Sequence, residues 1–187
     1  MVKTLHLLSG GLDSVTMLYQ LVADGTTVEC LLFDYKQRHK QELQFATSHA
    51  RRLRVPFHVV DLPQLGGMNE QSWIVPNRNA IFLSVAVNVA TQLDCKTVTI
   101  GCNKDDADYF PDCRQDFINK MNMAVMSAGY NVHIVAPFIS MMKWEIMARA
   151  RELGVDWREI WTCYSPTESG PCGECMACKK LEAACGR

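Results

Sequence analysis

Short apolar runs alternate with helix-length segments along most of the chain. The runs are rich in β-branched residues and lie before Leu8 and at 27–33, 57–60, 97–100 and 132–135. The segments between them carry apolar residues three and four positions apart, as one-faced helices do, at 12–23, 41–53, 80–93, 114–128 and 143–153. This alternation predicts an α/β fold: a mostly parallel sheet of about five strands with helices on both faces. Ligands of such a sheet bind at the carboxyl ends of its strands.

The composition restricts the classes of protein to which the chain can belong. Its 187 residues fit one domain, spanning 1–187, that can bury a core without disulfides. With 48% hydrophobic residues, 21% charged residues and a formal net charge of −1, it has no charge excess that would favour nucleic acid or an anionic membrane. We therefore expect a small-molecule substrate.

No segment has the pattern of an export signal or a membrane span. The N-terminal run that ends at Leu8 is too short for a signal peptide, and no stretch approaches about 18 apolar residues. We expect a cytoplasmic protein.

A glycine turn follows the first strand and opens the first helix. The phosphate loop, residues 9–14, reads Ser-Gly-Gly-Leu-Asp-Ser. Backbone N–H groups and a helix N-terminus converge there, so the loop can hold a pyrophosphate, with hydroxyl donors from Ser9 and Ser14. Asp13 can cap the first turn or approach a phosphate-bound Mg²⁺. The spacing fits neither a Walker A loop nor Gly-x-Gly-x-x-Gly, and two glycines alone would equally suit an ordinary capped turn.

The full loop pattern is more specific than its glycines. Ser-Gly-Gly-x-Asp-Ser after a first buried strand resembles the signature of PP-loop ATP pyrophosphatases, which adenylate a substrate oxygen and release pyrophosphate. The nucleotide-binding residues that this resemblance implies are Leu8, Ser9, Gly10, Gly11, Leu12, Asp13, Ser14, Val15, Thr16, Met17 and Leu18.

Four of the nine cysteines crowd near the end of the chain. They follow the spacing C-x8-C-x2-C-x2-C and are Cys163, Cys172, Cys175 and Cys178. Four thiolates in one short loop can close a tetrahedral Zn²⁺ site with no open position, so we expect a structural zinc in the segment 162–187. Iron–sulfur binding and redox sensing are the alternatives. Cys30 and Cys95 lie in or beside apolar segments and are expected in the core, and Cys185 is a spare thiol.

Several further segments, read in order with the loop and the cysteines, resemble one family. They are 33–39, 75–79, 101–114, 137–143 and 162–164, and with them the chain is similar over nearly its whole length to the 7-cyano-7-deazaguanine synthases of queuosine biosynthesis. The resemblance implies a Rossmann-like fold of the adenine nucleotide alpha hydrolase type, a four-cysteine zinc knuckle and a homodimer.

The resemblance also implies a reaction. ATP adenylates 7-carboxy-7-deazaguanine, ammonia displaces AMP to give an amide, and a second ATP activates that amide for dehydration to the nitrile. Such an enzyme is a C–N ligase that uses ATP and Mg²⁺.

Candidate residues follow from these needs. Catalytic candidates are Asp13 and three cations that can offset charge on the α-phosphoryl group: Arg78, Arg114 and Lys143. Candidates for binding the deazaguanine are Arg38, Asn79, Asp106, Tyr109, Phe110 and Asp112. Any one of these taken singly is more typical of a solvated or ion-paired surface, and His39 fits either a base or a structural histidine.

The sequence departs from the family pattern at several places. Lys36 and Asn77 stand where glycine is usual, and Asp-Tyr-Phe at 108–110 replaces Ser-Gly-Tyr. The connection at 64–69 is shorter than expected, and Leu181 stands where arginine is typical, which describes a compact member. These departures leave open a reaction that stops at the amide or uses another amine.

Two other classes of function remain open from the sequence. A tRNA-thiolating adenylase would use Cys102 and Cys113 as sulfur carriers and would need a basic surface, against which the near-neutral charge argues. A zinc-bearing regulatory protein would keep the nucleotide pocket without turnover. The intact phosphate loop argues against that class.

Overall fold

The computed structural model describes residues 3–37, 41–66, 75–168 and 170–186. Its sheet has five parallel strands in the order β3-β2-β1-β4-β5. They are β1 (Lys3–Leu7), β2 (Thr27–Asp34), β3 (Phe57–Asp61), β4 (Thr97–Thr99) and β5 (His133–Val135). The α/β fold with a parallel sheet of five strands is therefore confirmed.

Eight helices accompany the sheet in the described residues. They are α1 (Leu12–Ala23), α2 (Gln41–Arg52), α3 (Pro63–Gly66), α4 (Arg78–Gln92), α5 (Lys104–Ala107), α6 (Gln115–Ser127), α7 (Lys143–Glu152) and α8 (Met176–Cys185). The five long predicted helices are confirmed to within two residues at each end. The sequence analysis missed α8 and the short helices α3 and α5. None of the described helices combines the length and the apolar character that crossing a bilayer requires.

The sheet separates two hydrophobic cores, one on each face. Alternation along β2 shows the division, because successive side chains point to opposite faces of a strand. Leu31 and Phe33 pack with α4 and α6, whereas Cys30 and Leu32 pack with α1, α2 and α7. Cys95 is buried as well, so the expectation that Cys30 and Cys95 are core residues is confirmed.

The strand order reverses at β1, which has β2 on one side and β4 on the other. In open parallel sheets this reversal leaves a crevice at the carboxyl ends of the two diverging strands. The phosphate loop follows β1, and Gly101 follows β4. A Cβ on Gly101 would lie 3.1 Å from the backbone nitrogen of Ser14, which is a tight contact, so the two segments approach each other closely.

A buried histidine fixes this meeting point. His6, in β1, is fully buried; its Nδ1 lies 2.8 Å from the Thr99 hydroxyl and its Nε2 lies 2.8 Å from the Ser14 carbonyl. A neutral ring can accept from Thr99 and donate to Ser14. Burial lowers the pKa of His6 to about 4, so the ring is neutral at pH 7 and ties β1, β4 and α1 together.

We expect His6 to make stability depend on pH. Its folded pKa of about 4 lies below the unfolded value near 6.5, so the unfolded chain binds more protons between these values. The stabilisation is complete above pH 6.5 and falls as the pH drops towards 4, by up to about 3 kcal/mol. Urea unfolding of His6→Gln should show a flatter pH dependence in this window. The control His133→Gln, whose side chain is exposed, should keep the wild-type slope; equal slopes for all three proteins would contradict the assignment.

Candidate active site and metal centre

The phosphate loop is closed by its own serines. The backbone N–H of Ser9 donates to the Ser14 hydroxyl at 3.2 Å, and that hydroxyl donates to the Gly11 carbonyl at 3.1 Å. The first intrahelical bond runs from Val15 to Gly11, so the N–H groups of residues 12–14 have no acceptor within the helix. A helix N-terminus of this kind suits an anion.

Gly11 is the N-cap of α1, and no side chain caps it. The capping alternative for Asp13 was therefore wrong, because Asp13 already lies in the first turn and its carboxylate points to other partners.

Gly10 lets the loop pack against helix α2. It has a φ of +85°, and a side chain there would lie 2.6 Å from the Glu42 carbonyl. Its own carbonyl accepts a hydrogen bond from the Trp161 N–H at 2.9 Å. This hydrogen bond ties the phosphate loop to the segment that leads to Cys163.

A charged cluster lies beside the loop and combines Asp13, Asn103, Asp106, Lys143 and Lys180. The Asp13 Oδ2 accepts from Asn103 Nδ2 at 2.8 Å and lies 3.8 Å from Lys143 Nζ. Lys143 Nζ also lies 3.4 Å from Asp106 Oδ2, and Lys180 Nζ lies 3.1 Å from Asp106 Oδ1. The structure therefore brings together Asp13, Asp106 and Lys143, which the sequence analysis named separately.

Burial and pairing set the protonation of this cluster. Burial raises the pKa of Asp13, and the Lys143 ammonium opposes that rise. Burial by itself would raise the pKa of Asp106 as well. The charges of Lys143 and Lys180 outweigh this effect, so the pKa of the Asp106 carboxyl is lowered. Burial would lower the pKa of Lys143, yet Asp13 and Asp106 together raise it. Asp106 is therefore ionised and Lys143 charged at neutral pH.

One oxygen of the cluster lacks a partner. Asp13 Oδ1 is buried and has no hydrogen-bond partner among the described residues. An unpaired buried carboxylate oxygen costs free energy until a donor or cation reaches it.

Arg78 lies in a second group, at the start of α4. Its Nη1 is 3.3 Å from the Tyr35 hydroxyl, and its guanidinium lies over the rings of Tyr35 and Phe82 at 6.0 and 5.8 Å. Burial raises the pKa of Glu42 to about 7, with Arg78 opposing.

Tyr164 connects the two groups. Burial raises the pKa of its hydroxyl, and charges from both groups act on it: Asp106, Lys143, Arg78 and Glu42. Charges of both groups therefore act on the same side chain.

The remaining candidates differ in burial and in their contacts. Arg114 is exposed, and its Nε donates to the Ala107 carbonyl at 2.8 Å, so it braces the turn after α5. Asn79 contacts the Cys113 sulfur at 3.9 Å. Phe110 and Asp112 are partly buried, whereas the Tyr109 side chain is 64% exposed. Arg38 and His39 lie outside the described residues.

Three residues of the site were missed by the sequence analysis: Asn103, Lys180 and Glu42. Asn103 had a local signal, because its side chain caps α5 by accepting from the Asp106 N–H, a typical role of asparagine before a short helix. Lys180 and Glu42 had none, since only the tertiary fold brings their helices to the loop.

The four cysteines converge as their spacing predicts. Their sulfur atoms all lie within 4.8 Å of one another, and those of Cys163 and Cys172 are 3.6 Å apart. A tetrahedral metal with sulfur ligands at about 2.3 Å sets its sulfurs about 3.8 Å apart. Backbone N–H groups of Cys172 and Cys175 donate to the sulfurs of Cys163 and Cys172, each at 3.3 Å. The N–H groups of Cys175 and Glu174 lower the pKa of Cys172 to about 7, which favours the thiolate that a metal binds. The donor set could hold a metal ion.

Comparison with known proteins gives the family. The family model described as "Queuosine biosynthesis protein QueC" matches residues 3–74 and 69–186. The chain belongs to this family. The two matched pieces meet where the sequence predicts a shortened connection.

Curated relatives extend over almost the whole chain. The 7-cyano-7-deazaguanine synthase of Nostoc punctiforme is 37% identical over 97% of this chain and 94% of its own length. Those of Pseudoalteromonas atlantica and Alteromonas mediterranea are 36% and 38% identical, over 97% and 94% of this chain and 93% and 90% of their own. This family member is thus related throughout to enzymes.

Solved structures share the fold. NMN synthetase from Francisella tularensis has a TM-score of 0.63 at 15% identity, over 98% of this chain and 77% of that one. The U34-tRNA thiolase NcsA from Methanococcus maripaludis, solved with its 4Fe-4S cluster, has a TM-score of 0.59 at 15% identity, over 98% of this chain and 64% of its own. These likenesses support the Rossmann-like PP-loop class of fold.

We expect Gly10→Ala to lower the free energy of unfolding more than Gly25→Ala, although both glycines have a positive φ. A Cβ added at Gly10 would lie 2.6 Å from the Glu42 carbonyl oxygen, whereas a Cβ added at Gly25, where φ is +71°, would have no atom within 4 Å. Gly25→Ala should cost about 1 kcal/mol from strain alone, and Gly10→Ala at least about 2 kcal/mol more. Urea unfolding measures both variants, and equal losses would contradict the packing described for the loop.

We expect Cys175→Ser to hold less metal than the wild type and to be less stable, because it removes one of the four sulfurs that could bind an ion. Elemental analysis should show the loss, and Tm should fall on the order of 10 °C. Cys185→Ser is the matched control, since Cys185 lies on the same helix outside the four-cysteine cluster. Full metal content in Cys175→Ser would refute the cluster as the binding site.

Proposed function

We propose that this protein makes 7-cyano-7-deazaguanine from 7-carboxy-7-deazaguanine, ammonia and ATP. The observation that carries the proposal is the charged cluster beside the phosphate loop at the crevice between β1 and β4. Synthases of this name match 94–97% of the chain.

ATP would bind along residues 8–18. The free N–H groups at the start of α1 suit the departing pyrophosphate, and the Lys143 ammonium suits the negative charge that develops on the α-phosphoryl group. A Mg²⁺ ion on the nucleotide would be held through the unpartnered Asp13 Oδ1 and would neutralise phosphate charge.

The proposed chemistry is two adenylations. The substrate carboxylate attacks the α-phosphorus and pyrophosphate leaves; ammonia then attacks the acyl carbon and AMP leaves, which gives the amide. The amide oxygen then attacks the α-phosphorus of a second ATP and pyrophosphate leaves; loss of AMP and of the two amide protons leaves the nitrile. Arg78 and Arg114 are proposed to support the charge on the reacting groups. Glu42, with a pKa of about 7, is suited to accept a released proton.

The deazaguanine would lie against the rim of the crevice. The exposed Tyr109 ring and Phe110 offer a flat apolar wall, and Asp112 and Asn79 offer polar groups for the ring edge. Arg38 and Asp106 complete the proposed set.

We propose that the metal is a structural zinc. Four thiolates fill a tetrahedral shell and leave no position for water, so the ion would fasten the segment 162–187 rather than take part in the reaction. One zinc per chain and no iron–sulfur absorbance in the visible region would support this; iron with acid-labile sulfide would refute it.

The structure offers little to the sulfur-transfer alternative. Cys102 is buried, and its contact with Cys113, together with burial, raises its pKa. A thiol of this kind is a poor nucleophile at neutral pH.

We also propose a homodimer in the cytoplasm with 1–187 as one catalytic domain, as the family resemblance implies. Light scattering of the purified protein tests the dimer, and a monomer mass at micromolar concentration would refute it.

We expect the protein to convert 7-carboxy-7-deazaguanine to the nitrile, and product analysis tests this. The protein is incubated with ATP, ammonium and 7-carboxy-7-deazaguanine, and the products are identified by mass spectrometry. Nitrile with two AMP for each molecule formed supports the proposal. Amide alone would show a reaction that stops halfway, and ATP binding without turnover would show a regulatory protein.

We expect Lys143→Met to lower kcat/KM by about 100-fold or more, because it removes a preorganised cation from the reacting phosphate. Lys120→Met is the control, since Lys120 is exposed on α6 and pairs with Asp116. Steady-state kinetics with equal folded fractions measures both variants. Wild-type kcat/KM in Lys143→Met would remove Lys143 from the reaction.

A further inference from the structure

Helix α8 carries Lys180 from the four-cysteine cluster into the active site. Its Nζ lies 3.1 Å from Asp106 Oδ1 and 4.8 Å from the centre of the Tyr109 ring. The Lys180 side chain is 24% exposed and the Asp106 side chain 23%, so the pair is largely shielded from water. A partly buried ion pair interacts more strongly than an exposed one.

The carboxylate of Asp106 divides its two oxygens between two lysines. Oδ1 faces Lys180, and Oδ2 accepts from Asn103 at 2.7 Å and lies 3.4 Å from Lys143. The Asp106 backbone N–H is held by Asn103 Oδ1 at 3.0 Å. Asp106 is thereby fixed in orientation and is the only link between the two ammonium groups that the described contacts show.

Lys180 offsets negative charge in the cluster, beside which Asp105 Oδ2 also accepts from the Lys143 backbone N–H at 2.7 Å. Asp13 and Asp106 contribute two carboxyl groups, and Lys143 and Lys180 contribute two ammonium groups. Without Lys180, the Lys143 ammonium would face both carboxyl groups alone, and the cluster would repel a polyphosphate at the adjacent loop.

We propose that Lys180 is a positioning residue for nucleotide binding: it neutralises Asp106, so that the Lys143 ammonium is not held fully by that carboxylate and stays available to the phosphates of ATP. The inference rests on the proposed function, because it presupposes ATP at the phosphate loop. Lys180 acts through Asp106 and needs no contact with the nucleotide.

The four-cysteine cluster sets where Lys180 lies. Cys175 is the N-cap of α8, and Cys178 lies in its first turn, two residues before Lys180. The ligand geometry therefore fixes the start of the helix that delivers this lysine. The segment 162–187 thus has a role in the site beyond fastening the end of the chain.

The test compares three variants of the full-length, metal-loaded protein: Lys180→Met, Lys180→Arg and Lys179→Met. Lys179 is the matched control, because it is adjacent on the same helix and exposed. Calorimetry with a non-hydrolysable ATP analogue measures affinity without turnover, and steady-state kinetics gives KM for ATP and for 7-carboxy-7-deazaguanine.

We expect Lys180→Met to weaken binding of the analogue and raise KM for ATP by about tenfold. The metal content should stay near wild type, because Lys180 is not one of the four cysteines that could hold the ion. Lys180→Arg should restore affinity to within about twofold, and Lys179→Met should change nothing. The deficit should shrink at high salt, because charge–charge interactions are screened.

Three outcomes would overturn the inference: wild-type affinity in Lys180→Met, an equal loss in Lys179→Met, or loss of metal from Lys180→Met. The last would show that Lys180 acts on the fold. If the wild type binds the analogue and does not turn over, the proposed reaction fails while the affinities still decide the role of Lys180.

Discussion

The start of helix α1 is fixed against the end of strand β4, and the rest of the site depends on that contact. The neutral ring of His6 is hydrogen-bonded to Thr99 and to the Ser14 carbonyl, and Gly101 packs closely against the same turn. Since the helix cannot move away from the strand, Asp13 reaches Asn103 on the segment that follows β4. The phosphate loop and the charged cluster therefore meet at one rigid junction of the sheet.

The charged cluster is stable because its opposite charges are paired in a shielded place. Burial alone would raise the pKa of Asp13 and Asp106 and lower that of Lys143. Mutual pairing reverses the shift for Asp106 and for Lys143, so both are charged at neutral pH. A lysine that is charged and held beside the phosphate loop can stabilise an anion bound there.

The repeating elements could be predicted because their signals are local. The periodicity of strands and helices predicted the parallel sheet, and the phosphate loop between β1 and α1 predicted that Asp13 lies at the carboxyl end of β1. Lys143 could be found because it opens a helix after a strand. Helix α8 was missed, since the cysteine spacing dominates the interpretation of its segment. Lys180 reaches Asp106 across 74 positions of sequence, a contact that no local pattern encodes.

The C-terminal segment is ordered from two sides. Around the four-cysteine cluster its small core contains Trp161, Cys163 and Cys178, with Phe45 packed against it. At the other end of α8, Leu181, Ala184 and Cys185 pack against the core formed by α1, α2 and α7. A metal on the four thiolates would add free energy to this limited burial. Because α8 begins at those same thiolates, such a metal would also hold Lys180 against Asp106, so the stability of this segment and the charge pairing beside the phosphate loop would be linked.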